Sequence, residues 1–243
     1  MYTESGAWQK FDLYFKELAR KDTRFSILIN QLRQHDPKLY EHSCAVARFC
    51  FGVISHLSQM GILTRKKELI RNLFVLCGLL HDIGMLLITD KLFEKFPEGE
   101  MRHGIIQNLH AFFGYTILLP LHPDIADIVY FHHHFSAKRE FRAYVKPNER
   151  LVLNIYDPLE DASVAFPISV LTIAERQELS FTLVIIEYIV TEYFDKKIAV
   201  SLKVIDRLKK EFPHCQNAIE ALRRLLEKTP AVKNSPPPIP KKL

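Results

Sequence analysis

The chain has 243 residues, of which 48% are hydrophobic and 25% charged, the balance of a globular protein able to bury a core without disulfides or a structural metal. The net charge is +5, but Lys233, Lys241 and Lys242 lie in a Pro-rich tail, so the body is nearly neutral and a nucleic-acid-binding body is not expected. Eight glycines are too few for an all-β fold of tight turns or for Gly-rich phosphate loops.

Residues 8–34 place Phe11, Leu13, Tyr14, Phe15, Leu18, Phe25, Ile27, Leu28 and Leu32 at helical spacing, with a break near Lys21–Thr23. Asp36-Pro37 then reads as a helix start, because Asp caps orphan amides and Pro fits the first helical position. Gly61 closes that helix, and Thr64–Glu68 has nearly the form of a capping box for the next. LIRNLFVLCGLLHDIG is apolar on most sides and is expected at the centre. Two helices follow, His110–Leu119, ended by Pro120, and Pro123–His134. Residues 135–167 show no sustained period and read as a long loop. Helices are expected again over Ile168–Glu178, Phe181–Tyr193, Ile198–Phe212 and Asn217–Lys228, before a Pro-rich disordered or extended tail at 229–243. The fold class is therefore all-α.

Cys44, Cys50, Cys77 and Cys215 form no CxxC pair and read as small buried hydrophobes in a reducing compartment. The N-terminus lacks a secretory pattern. The longest apolar runs, Leu73–Leu80 and Phe181–Ile186, fall short of about 20 residues, so no membrane contact is expected and the expected location is cytoplasmic.

The eleven histidines carry the chemical signal. A lone helical histidine is usually structural. His81-Asp82, however, end the most apolar helix, where an imidazole and a carboxylate are costly without partners. His42, His110 and the run His132-His133-His134 lie on or at the ends of other helices. Imidazole and carboxylate together hold Zn, Fe, Mn or Ni, and several helices converging could complete such a site.

The order His, His-Asp, His, His-His, acidic residue resembles the signature of the HD metal-dependent phosphohydrolases, and more finely the HD-GYP subgroup that hydrolyses cyclic di-GMP. HDPKLYEHSCAVA (35–47) resembles its opening helix, GLLHDIGM (78–85) its HDxGK motif and HAFFGYTIL (110–118) its H-x-x-x-G helix. IADIVYFHHHF (125–135) resembles its paired-His segment, and FPISVLTIAERQEL (166–179) the stretch ending in its last acidic ligand. YFDKKIAVSLKVI (193–205) is similar to its closing helix. The resemblance spans roughly residues 30–210. It implies an HD-domain helical bundle at 35–212 with a metal site at its centre, an N-terminal helical extension at 1–34 and an added C-terminal helix at 213–228.

Carried over residue by residue, the implied ligands are His42, His81, Asp82, His110, His132, His133 and Glu175, with Asp82 bridging two divalent ions, Fe or Mn, and acting as the catalytic carboxylate. Choosing His132-His133 over His133-His134 is a choice of register. A third ion is not expected, because Lys38 stands where some members carry a Glu. Glu175 replaces the subgroup's usual Asp and His134 its usual Glu, and two further departures matter more. Met85 replaces the motif lysine, and FSAKREFRAYVKPNER (135–150) replaces the Gly-Tyr-Pro motif. Lys138, Arg139, Arg142, Lys146 and Arg150 there either contact phosphate or form a solvated loop face.

The first functional expectation is a binuclear phosphodiesterase acting on cyclic di-GMP or a related nucleotide. The alternative is a degenerate domain that senses a nucleotide or binds a protein without turnover. A third is a phosphohydrolase or di-iron oxygenase of the wider superfamily. A protein partner or a homodimer would supply regulation. PPPIPKK reads as a solubilising terminus or a docking peptide.

Overall fold

The computed structural model describes residues 11, 13–15, 17–18, 22–89, 100–133, 169–196 and 200–228. Among these it is helical with no strand, so the all-α reading holds. The loop read at 135–167, with its five basic residues and His134, and the tail at 229–243 lie outside the described residues.

Helix α1 (Thr23–His35) starts where the sequence breaks, with the Asp22 carboxylate accepting from Arg24 N–H. Helix α2 (Pro37–Gln59) starts at Asp36, whose Oδ1 accepts from the amides of Lys38 and Leu39 at 2.9 and 3.1 Å. Such a cap contributes about 1 kcal/mol. Gly61, at φ +72°, terminates it in the left-handed conformation that glycine adopts without cost.

Helix α3 (Lys67–Leu80) is the central element. Every residue from Leu73 to Leu80 is buried, each large side chain contributing about 1.5–3 kcal/mol. The span 67–87 is long and apolar enough by composition to cross a bilayer, a longer stretch than the runs read from sequence, but most of it is buried inside the protein. The capping box expected at Thr64–Glu68 does not form. Lys66 occupies the N-cap in the left-handed region without a side-chain cap, because Thr64 stands one residue too far from Glu68.

A 3₁₀ turn (Ile83–Leu87) follows, then α4 (Glu100–Leu118) and α5 (Pro123–Tyr130). Helix α4 begins ten residues earlier than its sequence pattern indicated, and α5 ends before the paired histidines, which occupy a turn. The two helices expected over 168–193 are one helix, α6 (Ile173–Ile189), continued by a π turn (Val190–Phe194). Its capping box is genuine. Thr172 Oγ1 accepts from Glu175 N–H, and the Glu175 carboxylate accepts from Thr172 N–H. Helices α7 (Leu202–Glu211) and α8 (Gln216–Lys228) complete the described fold.

Helix α2 packs along α3, with α1 and α8 also against α2, while α5 lies against α3, α4 and α6. Buried Phe49, Phe74, Leu79, Leu118, Ile128 and Leu183 belong to one continuous core, which also takes in Phe11 and Phe15 from the N-terminal segment. Gly78 lets α2 and α3 approach closely, since a Cβ there would lie 2.8 Å from the Ala47 backbone. All four cysteines are buried, and none forms a disulfide.

Candidate metal centre

Five elements converge at the C-terminal end of α3. Helix α2 supplies His42, and the junction between α3 and the 3₁₀ turn supplies His81 and Asp82. Helix α4 supplies His110, the turn after α5 supplies His132 and His133, and the last turn of α6 supplies Glu187. Gly84 permits this convergence. A Cβ at that position would stand 1.9 Å from the carbonyl oxygen of His110, so only glycine allows α4 to lie against the turn.

The side chains fall into two groups of potential ligands. Asp82, His110, His132 and His133 form one, and His42, His81 and Glu187 the other, with all offered atoms of each group within 4.8 Å of one another. Asp82 faces both. Its Oδ1 lies 3.2 Å from His110 Nε2 and 3.6 Å from His132 Nε2, while Oδ2 lies 3.1 Å from His81 Nε2. Glu187 Oε2 lies 3.0 Å from His42 Nε2 and 3.2 Å from His81 Nε2.

Backbone carbonyls orient two of the rings. His81 Nδ1–H donates to Gly78 O at 2.9 Å, and His132 Nδ1–H donates to Val129 O at 2.5 Å. Each bond directs the ring's Nε2 into the centre, as is usual for a ligating histidine.

Not every polar atom of the cluster is satisfied by its neighbours. His81 Nε2 is buried and makes no hydrogen bond, although two carboxylate oxygens lie near it. His110 Nε2 lies 3.1 Å from His132 Nε2 and 2.8 Å from His133 Nε2. One ring nitrogen supplies at most one hydrogen, and His132 Nε2 has none to give when neutral, so the protein's own hydrogens leave one of these two contacts unsatisfied. Nitrogens about 3 Å apart are spaced as neighbouring ligands of one ion at about 2.1 Å. The donor set therefore fits divalent metal.

The electrostatics point the same way. Burial pushes His132 down to about 4, with His81 and His110 adding repulsion, and burial beside His132 and His110 likewise holds His133 neutral. Burial also opposes the charged forms of Asp82 and Glu187, but imidazole neighbours outweigh it and hold both carboxyls well below their usual range. Against the same penalty, Asp82 and Glu187 raise His81 well above the usual histidine value, while Glu187 and Asp195 push His42 up to about 10. In the metal-free protein these last two rings hold protons that an ion would displace.

Six of the seven residues selected from the sequence come together: His42, His81, Asp82, His110, His132 and His133. Glu175 does not. It stands partly exposed at the start of α6, engaged in its capping box, while Glu187, three turns further on, is the acidic residue that lies with His42 and His81. The sequence carried both signals. Thr172-x-x-Glu175 has true capping-box spacing, and Glu187 lies six residues before the start of the YFDKKIAVSLKVI segment.

Chemically, this is the ligand constellation of a metal-dependent hydrolase built on an all-α bundle. The HD domain family matches residues 39–161, half of the chain, and the protein belongs to that family of metal-dependent phosphohydrolases. The matched region contains all six converging histidine and aspartate positions; Glu187 lies beyond it. No curated protein and no solved structure matches the chain.

Proposed function

We propose that the protein is a cytoplasmic phosphodiesterase of the HD-GYP type that hydrolyses cyclic di-GMP or a related nucleotide at a binuclear centre of Fe or Mn. The observation that supports this reading is Asp82, whose two carboxylate oxygens face two different groups of potential ligands, so that it would serve an ion in either. His110, His132 and His133 would hold one ion and His42, His81 and Glu187 the other. Two ions so placed supply Lewis-acid polarisation of a phosphoryl oxygen and a low-pKa water as nucleophile. Asp82 would help to hold both ions and would accept a hydrogen bond from a water bound beside them. Seven side chains shared between two sites leave positions open for water and substrate, as catalysis requires.

The domain is proposed to span 35–212, with 1–34 and 213–228 as helical additions. Regulation is proposed to act through a protein partner or a second copy.

The test is elemental analysis of purified protein beside Asp82→Ala and His133→Ala, followed by incubation with cyclic di-GMP. About two equivalents of Fe or Mn, lowered in both variants, with a linear product formed only by the native protein, is the expected result. No metal uptake after reconstitution overturns it. A second reading, a sensor or docking module without turnover, rests on Met85 in place of the motif lysine and on the missing Gly-Tyr-Pro motif. Metal uptake and nucleotide binding with no product would select it.

A further inference from the structure

The three rings that present Nε2 to the centre and have a known Nδ1 partner are not held alike. His81 and His132 each donate to a backbone carbonyl three residues earlier in their own chain segment, a bond that no substitution removes. His42 Nδ1 instead lies 2.7 Å from Asp195 Oδ2, a side chain 153 residues away. The opposite edge of the same ring faces Glu187, with Nε2 at 3.0 and 3.2 Å from its two oxygens.

Helix geometry explains how one segment reaches both edges. Glu187 and Asp195 are eight residues apart, which in a regular helix leaves them about 80° out of register. The π turn changes this. Asp195 N–H donates to Val190 O at 2.9 Å, an i→i+5 bond that takes an extra residue into the turn and returns Asp195 toward the side bearing Glu187.

We propose that Asp195 is a positioning residue for one half of the centre: it fixes the orientation and tautomer of His42 and strengthens that ring as a ligand, so that the His42–His81–Glu187 subsite holds its ion only while the π turn is in place. This rests on the metal-centre reading above. The carboxylate touches His42 and none of the Asp82–His110–His132–His133 group, so its effect falls on one ion of the two.

The experiment titrates metal-free protein with Mn²⁺ against a chromophoric chelator, comparing wild type, Asp195→Ala, Asp195→Asn and His133→Ala. The expected wild type takes two ions. Asp195→Ala keeps one at unchanged affinity and weakens the other about 10–100-fold. Asp195→Asn, which still accepts from Nδ1–H but lacks the charge, falls between. Asp195→Ala combined with His133→Ala retains neither ion tightly. The unfolding midpoint of metal-free protein stays within a few degrees of wild type in both Asp195 variants. Two ions at unchanged affinity in Asp195→Ala overturn the proposal alone, as does parallel weakening of both ions with a lowered unfolding midpoint, the mark of a purely structural role. A wild type that takes up no Mn²⁺ overturns the metal-centre reading and the proposal with it.

Discussion

Two glutamates in one helix separate structural from chemical work at the scale of single residues. Glu175 is partly exposed and closes a reciprocal cap with Thr172, whereas Glu187, its side chain only 12% exposed, lies between His42 and His81. Glu175→Ala is expected to leave the metal content unchanged and to lower stability by about 1 kcal/mol, read from urea unfolding. Glu187→Ala is expected to reduce two bound equivalents to one, read by elemental analysis. It also leaves two imidazoles without the carboxylate that offsets their burial. Equal metal content in the two variants would show that the acidic position has been assigned to the wrong glutamate.

Packing between elements places the ligands, and glycine sets how close those elements come. A Cβ on Gly84 would collide with the His110 carbonyl and with the Gly114 amide at 2.5 Å, so Gly84→Ala must push α4 away from Asp82. The expected cost is about 1–3 kcal/mol or more, with His110 withdrawn and metal uptake reduced. Gly114 differs, although it sits beside Gly84. A Cβ there would meet Val129 at 3.4 Å, within ordinary contact, and the residue lies inside α4. Gly114→Ala is therefore expected to be neutral or stabilising by up to about 1 kcal/mol. Thermal melts and metal titration of the pair check both outcomes.

A second buried carboxylate ties distant parts of the whole molecule together. Asp124 on α5 is fully buried. It accepts from Ser169 Oγ, from the amides of Val170 and Leu171 at 2.8 and 3.2 Å, and from Arg176 Nη1 at 2.9 Å. Arg176 also reaches Asp127 at 3.2 Å, so α5 is clamped to the start of α6. Burial opposes ionisation of Asp124, but these donors outweigh it and hold its carboxyl below the usual range. A carboxyl depressed in the folded state stabilises above its unfolded pKa of about 3.9 and loses that contribution as pH falls through the folded value. Asp124→Ala removes the common acceptor of these four bonds while Arg176 keeps Asp127, and is expected to cost roughly 1–3 kcal/mol at pH 7. The gap from wild type should narrow on acidification below about pH 4, as urea midpoints at pH 7 and pH 3 would show. Metal loading acts on the same global equilibrium. Free ion at about 100 times its dissociation constant adds about 2.7 kcal/mol per site, so a chelator is expected to lower the melting temperature by several degrees.

Local chemistry made much of this protein legible in its sequence. The Asp22 and Asp36 caps, Pro37 and Gly61 set helix boundaries through interactions within a few residues, and those boundaries are where the chain pattern put them. The uninterrupted apolar run of α3 required a central helix, and His81-Asp82 at its end required partners, because neither group is stable alone among buried hydrocarbon. The six converging positions were those that the family resemblance implied as ligands. What the chain pattern could not decide depended on rotation and distance between elements. Glu175 and Glu187 lie on one helix, and only the packing of α6 shows which of them faces His42. The bond from Asp195 to His42 spans 153 residues and depends on one π turn, which leaves no periodic trace. The Asp124 clamp likewise joins groups 45 to 52 residues apart. The residues and their sequence neighbours determined the helices and the stock of ligands; the tertiary structure alone decided which carboxylates meet which imidazoles, because such contacts depend on how whole helices are turned and how closely glycine lets them approach.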